Sequence, residues 1–196
     1  MEKISNFILA MLKIDYHMKK YTEIRPKVFI VDVDGVMTTG HLLYSENGKV
    51  MKFFGPDDHD GLSLLEKFLE IRFITGDKTG FKISKRRIVK DMKFPLDLVS
   101  TIKRLEWISK QYQLKDVIYM GDGIFDHYVL KKTGYSISTA NADRLAKKSA
   151  NYVTKRNGGD RAVAEACIHI LKKFFESYNP AKLPKSNVKL SGKWAV

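Results

Sequence analysis

Four short runs set the architecture open to this chain: KVFIVDV (27–33), IRFIT (71–75), FPLDLVS (94–100) and DVIYMGD (116–122). The first is β-branched, aromatic and nearly continuous, the pattern of a strand buried on both faces. The other three read as its neighbours, and between them residues 60–70, 80–91 and 101–112 read as helices. The alternation continues with a helix over 124–132, a strand at YSIS, a helix over 142–148, a strand at NYVT and a helix over 160–177. Strands alternating with helices predict an α/β fold, a parallel sheet with helices on both faces. One stretch breaks the rhythm. HLLYSENGKVMKFF (41–54) has two strand-like halves around Asn47–Gly48, a pair that favours a type I′ turn, so a β-hairpin is expected straight after the first strand.

The 196 residues suit one domain with a real core and short appendages. An N-terminal extension covers 1–26, where Ile4, Phe7, Ile8 and Met11 predict an amphipathic helix over 3–14. The body spans 27–177, and a basic, irregular tail fills 178–196. Cys167 is the single cysteine, so no intrachain disulfide can form, and a reducing, cytoplasmic compartment is expected. It sits in VAEACIHIL, where a small buried hydrophobe fits the helical pattern. No apolar run approaches the roughly 20 residues of a membrane span, and NFILAML lacks the cleavage site of a signal peptide.

The net charge of +13 makes nucleic acid a partner to consider. Much of the excess lies at the ends: six basic and three acidic residues in 1–27, six lysines and one glutamate in 172–196. With no zinc-ligand spacing, no aromatic–basic RNA-binding signature and no helix-turn-helix pattern, nucleic acid is not the favoured partner.

In an open parallel sheet, ligands bind beyond the carboxyl ends of the strands. The first run ends in Asp32-Val33-Asp34-Gly35, the second in Thr75-Gly76-Asp77, and the fourth in Gly121-Asp122-Gly123, with Asp126 four residues after Asp122. Acids and a small hydroxyl at three strand ends suggest a hard cation with oxygen ligands. Mg²⁺ prefers one or two carboxylates and works with phosphate groups, so Asp32 and Asp122 are candidate ligands. Thr75, with the N–H groups of Thr75 and Gly76, could hold a phosphate. A carboxylate there can also be a nucleophile that forms an aspartyl-phosphate. Asp34, two residues on, could protonate the leaving alcohol and later activate water.

DVDGVMTTG, ITGD and GDGIFD, in this order, resemble the motifs of the haloacid dehalogenase (HAD) superfamily of phosphatases. The details are most similar to its small, capless branch, typified by 3-deoxy-D-manno-octulosonate 8-phosphate phosphatase: Asp60–Gly61, the early hairpin, and GGDRAVAEA near the end. The resemblance covers about residues 27–171. It implies a Rossmann-like core without a large cap, a homo-oligomer, with a tetramer favoured, and a small phosphorylated substrate. It implies Asp32 as the nucleophile and Asp34 as the general acid/base. The Asp34 carbonyl would join Asp32 and Asp122 around Mg²⁺, Thr75 and Gly76 would bind phosphoryl oxygens, and Asp126 would orient a lysine. Counting along the chain assigns that lysine to Lys103, if the helix at 101–112 is one turn shorter than usual, with Lys78 and Lys85 as alternatives.

The chain departs from the branch at Thr39, where an Asp is usual, near His59, where an arginine is usual, and at Asp77-Lys78, where a basic residue often follows the glycine. His59 and Lys78 are therefore candidate substrate contacts, and the resemblance adds Arg161, since in the family the glycine pair and the arginine after it lie close to the active site. Asp57 and Asp58 read as caps of the following helix. Lys82, Lys85, Arg86, Arg87 and Lys90 read as a solvated helix face. The function expected is Mg²⁺-dependent hydrolysis of a phosphorylated sugar or 2-keto-3-deoxy sugar acid. The alternatives are a phosphatase of nucleotides or nucleic-acid ends, an aspartyl-phosphate receiver, and a degenerate HAD fold serving assembly.

Overall fold

The computed structural model describes residues 25–182. The helix expected over 3–14 and residues 183–196 of the tail lie outside them. Six strands form one parallel sheet in the order β5-β4-β1-β6-β7-β8. They are β1 (Val28–Asp32), β4 (Glu70–Thr75), β5 (Leu96–Leu98), β6 (Val117–Met120), β7 (Tyr135–Ser138) and β8 (Tyr152–Val153). β1 is central and buried along its whole length, as its unbroken apolar run requires. Its two faces nucleate two cores. Phe29 and Val31 pack with α1 (Asp58–Leu65) and α6 (Ala162–Phe174), through residues such as Leu62, Leu65, Val163 and Ile170. Ile88 joins this core from the π-helical turn Arg86–Asp91 that continues α2 (Phe81–Lys85). Val28 and Ile30 pack with α3 (Arg104–Gln111), α4 (His127–Leu130) and α5 (Arg144–Ser149), through Ile108, Val129, Leu130 and Ala146. Helices therefore cover both faces, in a Rossmann-like α/β sandwich.

The helices are shorter than their periodicity suggests. Where 101–112 reads as one helix, the chain first makes a 3-10 turn at Thr101–Lys103 and becomes α-helical only from Arg104. That one turn matters for the site. Chain order reverses at β1, which lies between β4 and β6, and this switch point leaves a crevice at the carboxyl ends of the strands.

The hairpin is β2 (Thr38–Ser45) with β3 (Gly48–Phe54), a separate antiparallel pair. Its turn is not type I′. Ser45 pairs with Gly48, so the turn residues are Glu46 and Asn47, and the left-handed backbone falls on Gly48 (φ 108°) rather than on both of them. No cap domain occurs among the described residues. Leu42, Leu43, Tyr44, Val50, Met51 and Phe53 are exposed, whereas Phe54 packs against the core.

Asp58 does not cap its own helix. It is buried, and its Oδ1 accepts the Ala164 N–H (2.9 Å) at the start of α6, so it joins two helices. Burial pushes its carboxyl up to about 6. Asp57 precedes α1 with a left-handed backbone and makes no capping hydrogen bond there.

Candidate active site

β1 delivers Asp32 to the switch point. The chain then leaves the sheet in one wide turn, Val33–Met37, in which Asp34 and Gly35 are non-helical. The Asp32 carboxylate accepts the Val33 N–H at 2.7 Å. Gly35 has φ 87°, and a Cβ built there would lie 2.0 Å from Asp122 Oδ2. Glycine follows the second acid because the ends of β1 and β6 could not otherwise close on each other.

Asp32, Asp122 and Asp126 offer carboxylate oxygens within 4.8 Å of one another. The cation that joins Asp32 to Asp126 is Arg104. Its Nη1 donates to Asp32 Oδ2 (2.5 Å), Asp126 Oδ1 (2.7 Å) and Tyr119 Oη (3.0 Å), and its Nη2 donates to Asp32 Oδ1 (2.8 Å). Tyr119 Oη donates to Asp126 Oδ1 (2.6 Å). The other Asp126 oxygen accepts the N–H groups of Asp122 (3.0 Å) and Gly123 (2.8 Å), fixing the loop after β6. The guanidinium fork suits this task, since a planar group can hold one carboxylate at two points and still reach a second.

A second network lies on the β4 side. Thr75 Oγ1 donates to Asp34 Oδ2 (2.9 Å) and accepts the Asp77 N–H (3.0 Å). Lys52, from β3, reaches Asp34 Oδ1 (2.7 Å), Asp77 Oδ2 (2.8 Å) and Ser84 Oγ (2.9 Å), and Lys49 also pairs with Asp77 (2.5 Å). Burial works to raise the Asp77 carboxyl, but Lys49, Lys52 and the Gly80 N–H outweigh it and hold it well below the usual range. Together the networks line a cleft of about 320 Å³ that includes Asp32, Asp34, Gly76 and Asp122, with Leu42 and Lys49 of the hairpin at its edge.

The structure thus brings Asp32, Asp34, Thr75, Gly76, Asp122 and Asp126 together, as the motif spacing predicts. Lys103 is a correction. Its side chain is 67% exposed and pairs with Glu106 (3.2 Å), while the buried cation held by Asp126 is its neighbour Arg104. One residue turns a helix by about 100°, so counting alone could not choose between them. The signal was in the pattern: Arg104 stands one turn before Ile108, the fully buried residue of α3, and so shares its inward face. The candidate substrate contacts are not among the residues that line this cleft. His59 is half-buried with its ring edge-on to Phe94 (6.0 Å), and Lys78 is exposed on the loop after β4. Arg161 pairs with Asp57 (2.6 Å) beside a different depression lined by Tyr152, Arg156 and Glu165. Sequence reading missed Arg104, Tyr119 and Lys52 altogether.

Comparison with known proteins agrees with this geometry. The family model for haloacid dehalogenase-like hydrolases matches residues 76–167. The 3-deoxy-D-manno-octulosonate 8-phosphate phosphatase KdsC of Salmonella typhi is 32% identical over 151 residues, covering 72% of this chain and 77% of the relative. The chain belongs to the haloacid dehalogenase-like hydrolases. Two solved structures carry the likeness into three dimensions. One is the Moraxella catarrhalis 3-deoxy-D-manno-octulosonate 8-phosphate phosphatase, in complex with magnesium, phosphate and KDO (25% identity, TM-score 0.66, 80% of this chain and 90% of that one). The other is the same phosphatase from Yersinia pestis (28% identity, TM-score 0.66, 80% and 85%). This chain is likewise a phosphatase of the HAD type.

The site of this phosphatase fits a divalent cation. Its donors are all oxygen, which selects hard cations. Asp122 Oδ1 is buried without a hydrogen-bond partner, a costly arrangement that a cation would relieve. Burial, partly offset by Arg104, raises Asp32 to about 7, and burial together with the Asp32 and Asp126 charges raises Asp122 to about 8. Proton and cation therefore compete. Below these values the carboxyls of the metal-free protein hold protons, so a divalent cation that binds there would have to displace them, and its apparent affinity should climb as pH rises through about 7 and 8. Calorimetry near neutral pH in two buffers of different ionisation enthalpy counts the protons released, and an affinity independent of pH would refute the assignment.

Proposed function

We propose that this phosphatase hydrolyses a small phosphorylated sugar or 2-keto-3-deoxy sugar acid, such as 3-deoxy-D-manno-octulosonate 8-phosphate, with Mg²⁺ and an aspartyl-phosphate intermediate. The observation that carries the chemistry is the meeting of Asp32, Asp34, Thr75, Asp122 and a buried cation at one strand-end crevice. The substrate class is supported by the activity named for the relatives.

In this reading Asp32 attacks phosphorus. An Asp32 oxygen–phosphorus bond forms and the ester oxygen departs, taking a proton from the Asp34 carboxyl. Asp34, now a carboxylate, takes a proton from water as that water attacks phosphorus, and Asp32 is released with inorganic phosphate. Arg104 holds the Asp32 carboxylate in one orientation and supplies a fixed positive charge as the phosphoryl oxygens gain negative charge. Gly76, which lines the cleft, would meet those oxygens, whereas the buried Thr75 gives its hydroxyl proton to Asp34 instead of to phosphate, a correction to its expected role. Mg²⁺, held by Asp32, Asp122 and the Asp34 carbonyl, would neutralise negative charge at the phosphoryl group.

The test is a panel of sugar phosphates, 2-keto-3-deoxy sugar acid phosphates and nucleotides, assayed with Mg²⁺ and with EDTA. Highest kcat/KM on a sugar-acid phosphate, lost with EDTA, supports the proposal. Preference for a nucleotide, or turnover that survives EDTA, refutes it. A cytoplasmic location fits a lone buried cysteine, and no helix among the described residues is long and apolar enough to cross a membrane.

The exposed apolar hairpin supports homo-oligomer formation, with a tetramer proposed. Phe54 serves its own core, so the probes of assembly are Leu43 and Phe53. Leu43→Asp with Phe53→Asp should reduce the mass by light scattering to that of a monomer, because charge at an apolar contact is costly. An unchanged mass for the folded double variant would show that the hairpin is not the interface.

A further inference from the structure

β3 is built inside out. Met51 and Phe53 are exposed, and the buried position between them is a lysine whose side chain is 0% exposed. Alternation explains the facing, since residues either side of Lys52 point to the opposite side of the strand. It does not explain the chemistry, because a hairpin that only packed on its own body would bury an aliphatic group there. Burying an ammonium is expensive unless its charge is paired. Here two carboxylates pair with it, Asp34 Oδ1 at 2.7 Å and Asp77 Oδ2 at 2.8 Å, and Lys52 Nζ donates a hydrogen bond to Ser84 Oγ (2.9 Å).

We propose that Lys52 is a positioning residue that aims the Asp34 carboxyl at the leaving-group oxygen of the substrate. Asp34 sits in the irregular turn after β1, with φ −81° and ψ 117°, so regular helix geometry does not set its side chain. Two contacts do: Lys52 holds one oxygen and Thr75 Oγ1 the other. The clamp joins three elements, the β1 turn, β4 and the hairpin. A proton donor must lie within hydrogen-bond reach of the atom it serves, and a displacement of about 1 Å can cost roughly 10²-fold in rate. This inference rests on Asp34 being the general acid/base of the proposed function.

The leaving group separates positioning from packing or substrate binding. An alkyl phosphate expels a poor leaving group that needs the Asp34 proton, whereas p-nitrophenyl phosphate expels a phenolate that leaves unaided. We expect Lys52→Met to lower kcat/KM for a sugar phosphate by about 10²-fold and for p-nitrophenyl phosphate by less than about threefold. Asp34→Asn should show the same selectivity, and the double variant should be no worse than Asp34→Asn, since both changes remove one function. Lys49→Met, which removes the hairpin's other cation but not the Asp34 contact, should affect both esters alike. If Lys52→Met does not fold, Lys52→Gln is measured in its place, with the same selectivity expected.

Equal losses on both esters for Lys52→Met would overturn the inference, leaving Lys52 as a substrate ligand or a packing group. Alkyl-selective loss in Lys49→Met would also overturn it, by assigning the effect to hairpin docking as a whole. Absence of selectivity in Asp34→Asn would instead refute the role of Asp34, a failure distinguishable from that of Lys52.

Discussion

Asp32→Asn is expected to lower kcat by about four to six orders of magnitude, the scale seen when a covalent nucleophile is removed. The amide has no anionic oxygen with which to form the acyl phosphate. The fold should survive. The asparagine oxygen can still accept the Val33 N–H and one Arg104 N–H, Arg104 keeps Asp126, and the loss of one charge relieves repulsion with Asp122. A melting temperature within a few degrees of the parent, with no phosphoenzyme trapped by acid quench from a labelled substrate, is the expected pair of results. Wild-type-like turnover would place the nucleophile elsewhere.

Arg104→Met should also be damaging, for two separable reasons. Asp32 and Asp126 lose their shared buried partner. Breaking a buried ion pair from one side typically costs about 3–5 kcal/mol, and denaturant titration reads that loss. Catalysis also loses a preorganised charge, worth about 10²–10³ in kcat. Combining Asp32→Asn with Arg104→Met should restore part of the stability, because one orphaned carboxylate is then neutral, but no activity. Lys103→Met is the discriminating control. Its ammonium pairs with Glu106 at the surface, and exposed pairs contribute about 0–1 kcal/mol, so kcat should stay within about twofold. Loss of turnover in Lys103→Met but not in Arg104→Met would reverse the assignment.

The contrast between these neighbours shows where reading the chain stops. Asp32, Asp34, Thr75, Asp122 and Asp126 were legible because each sits at or just beyond a strand end, and a parallel sheet gathers its strand ends by construction. Arg104 was not legible by counting, because a 3-10 turn of unknown length precedes α3 and a slip of one residue exchanges inside for outside. Tyr119 was hidden for the opposite reason. It occupies the buried strand β6, where an aromatic looks like core, and only its hydroxyl contacts with Asp126 and Arg104 reveal a polar task.

What the sequence alone determined is the layered architecture and the chemistry at the switch point. Both follow from local patterns: continuous apolar runs make buried strands, strand ends collect polar groups, and Gly35 permits the close approach of Asp122. The hairpin's existence was equally local, with Asn47–Gly48 marking its turn, although the exact turn type depended on how Ser45 and Gly48 pair. The tertiary structure alone decided which cation serves the acids, that Arg161 lies beside a separate depression, that Asp58 holds α6 rather than its own helix, and that Lys52 crosses from the hairpin into the site. Each of these joins residues distant in sequence. Their pairing depends on how far one element is rotated and how closely it packs on another, and a desolvated charge then selects the partner that satisfies it.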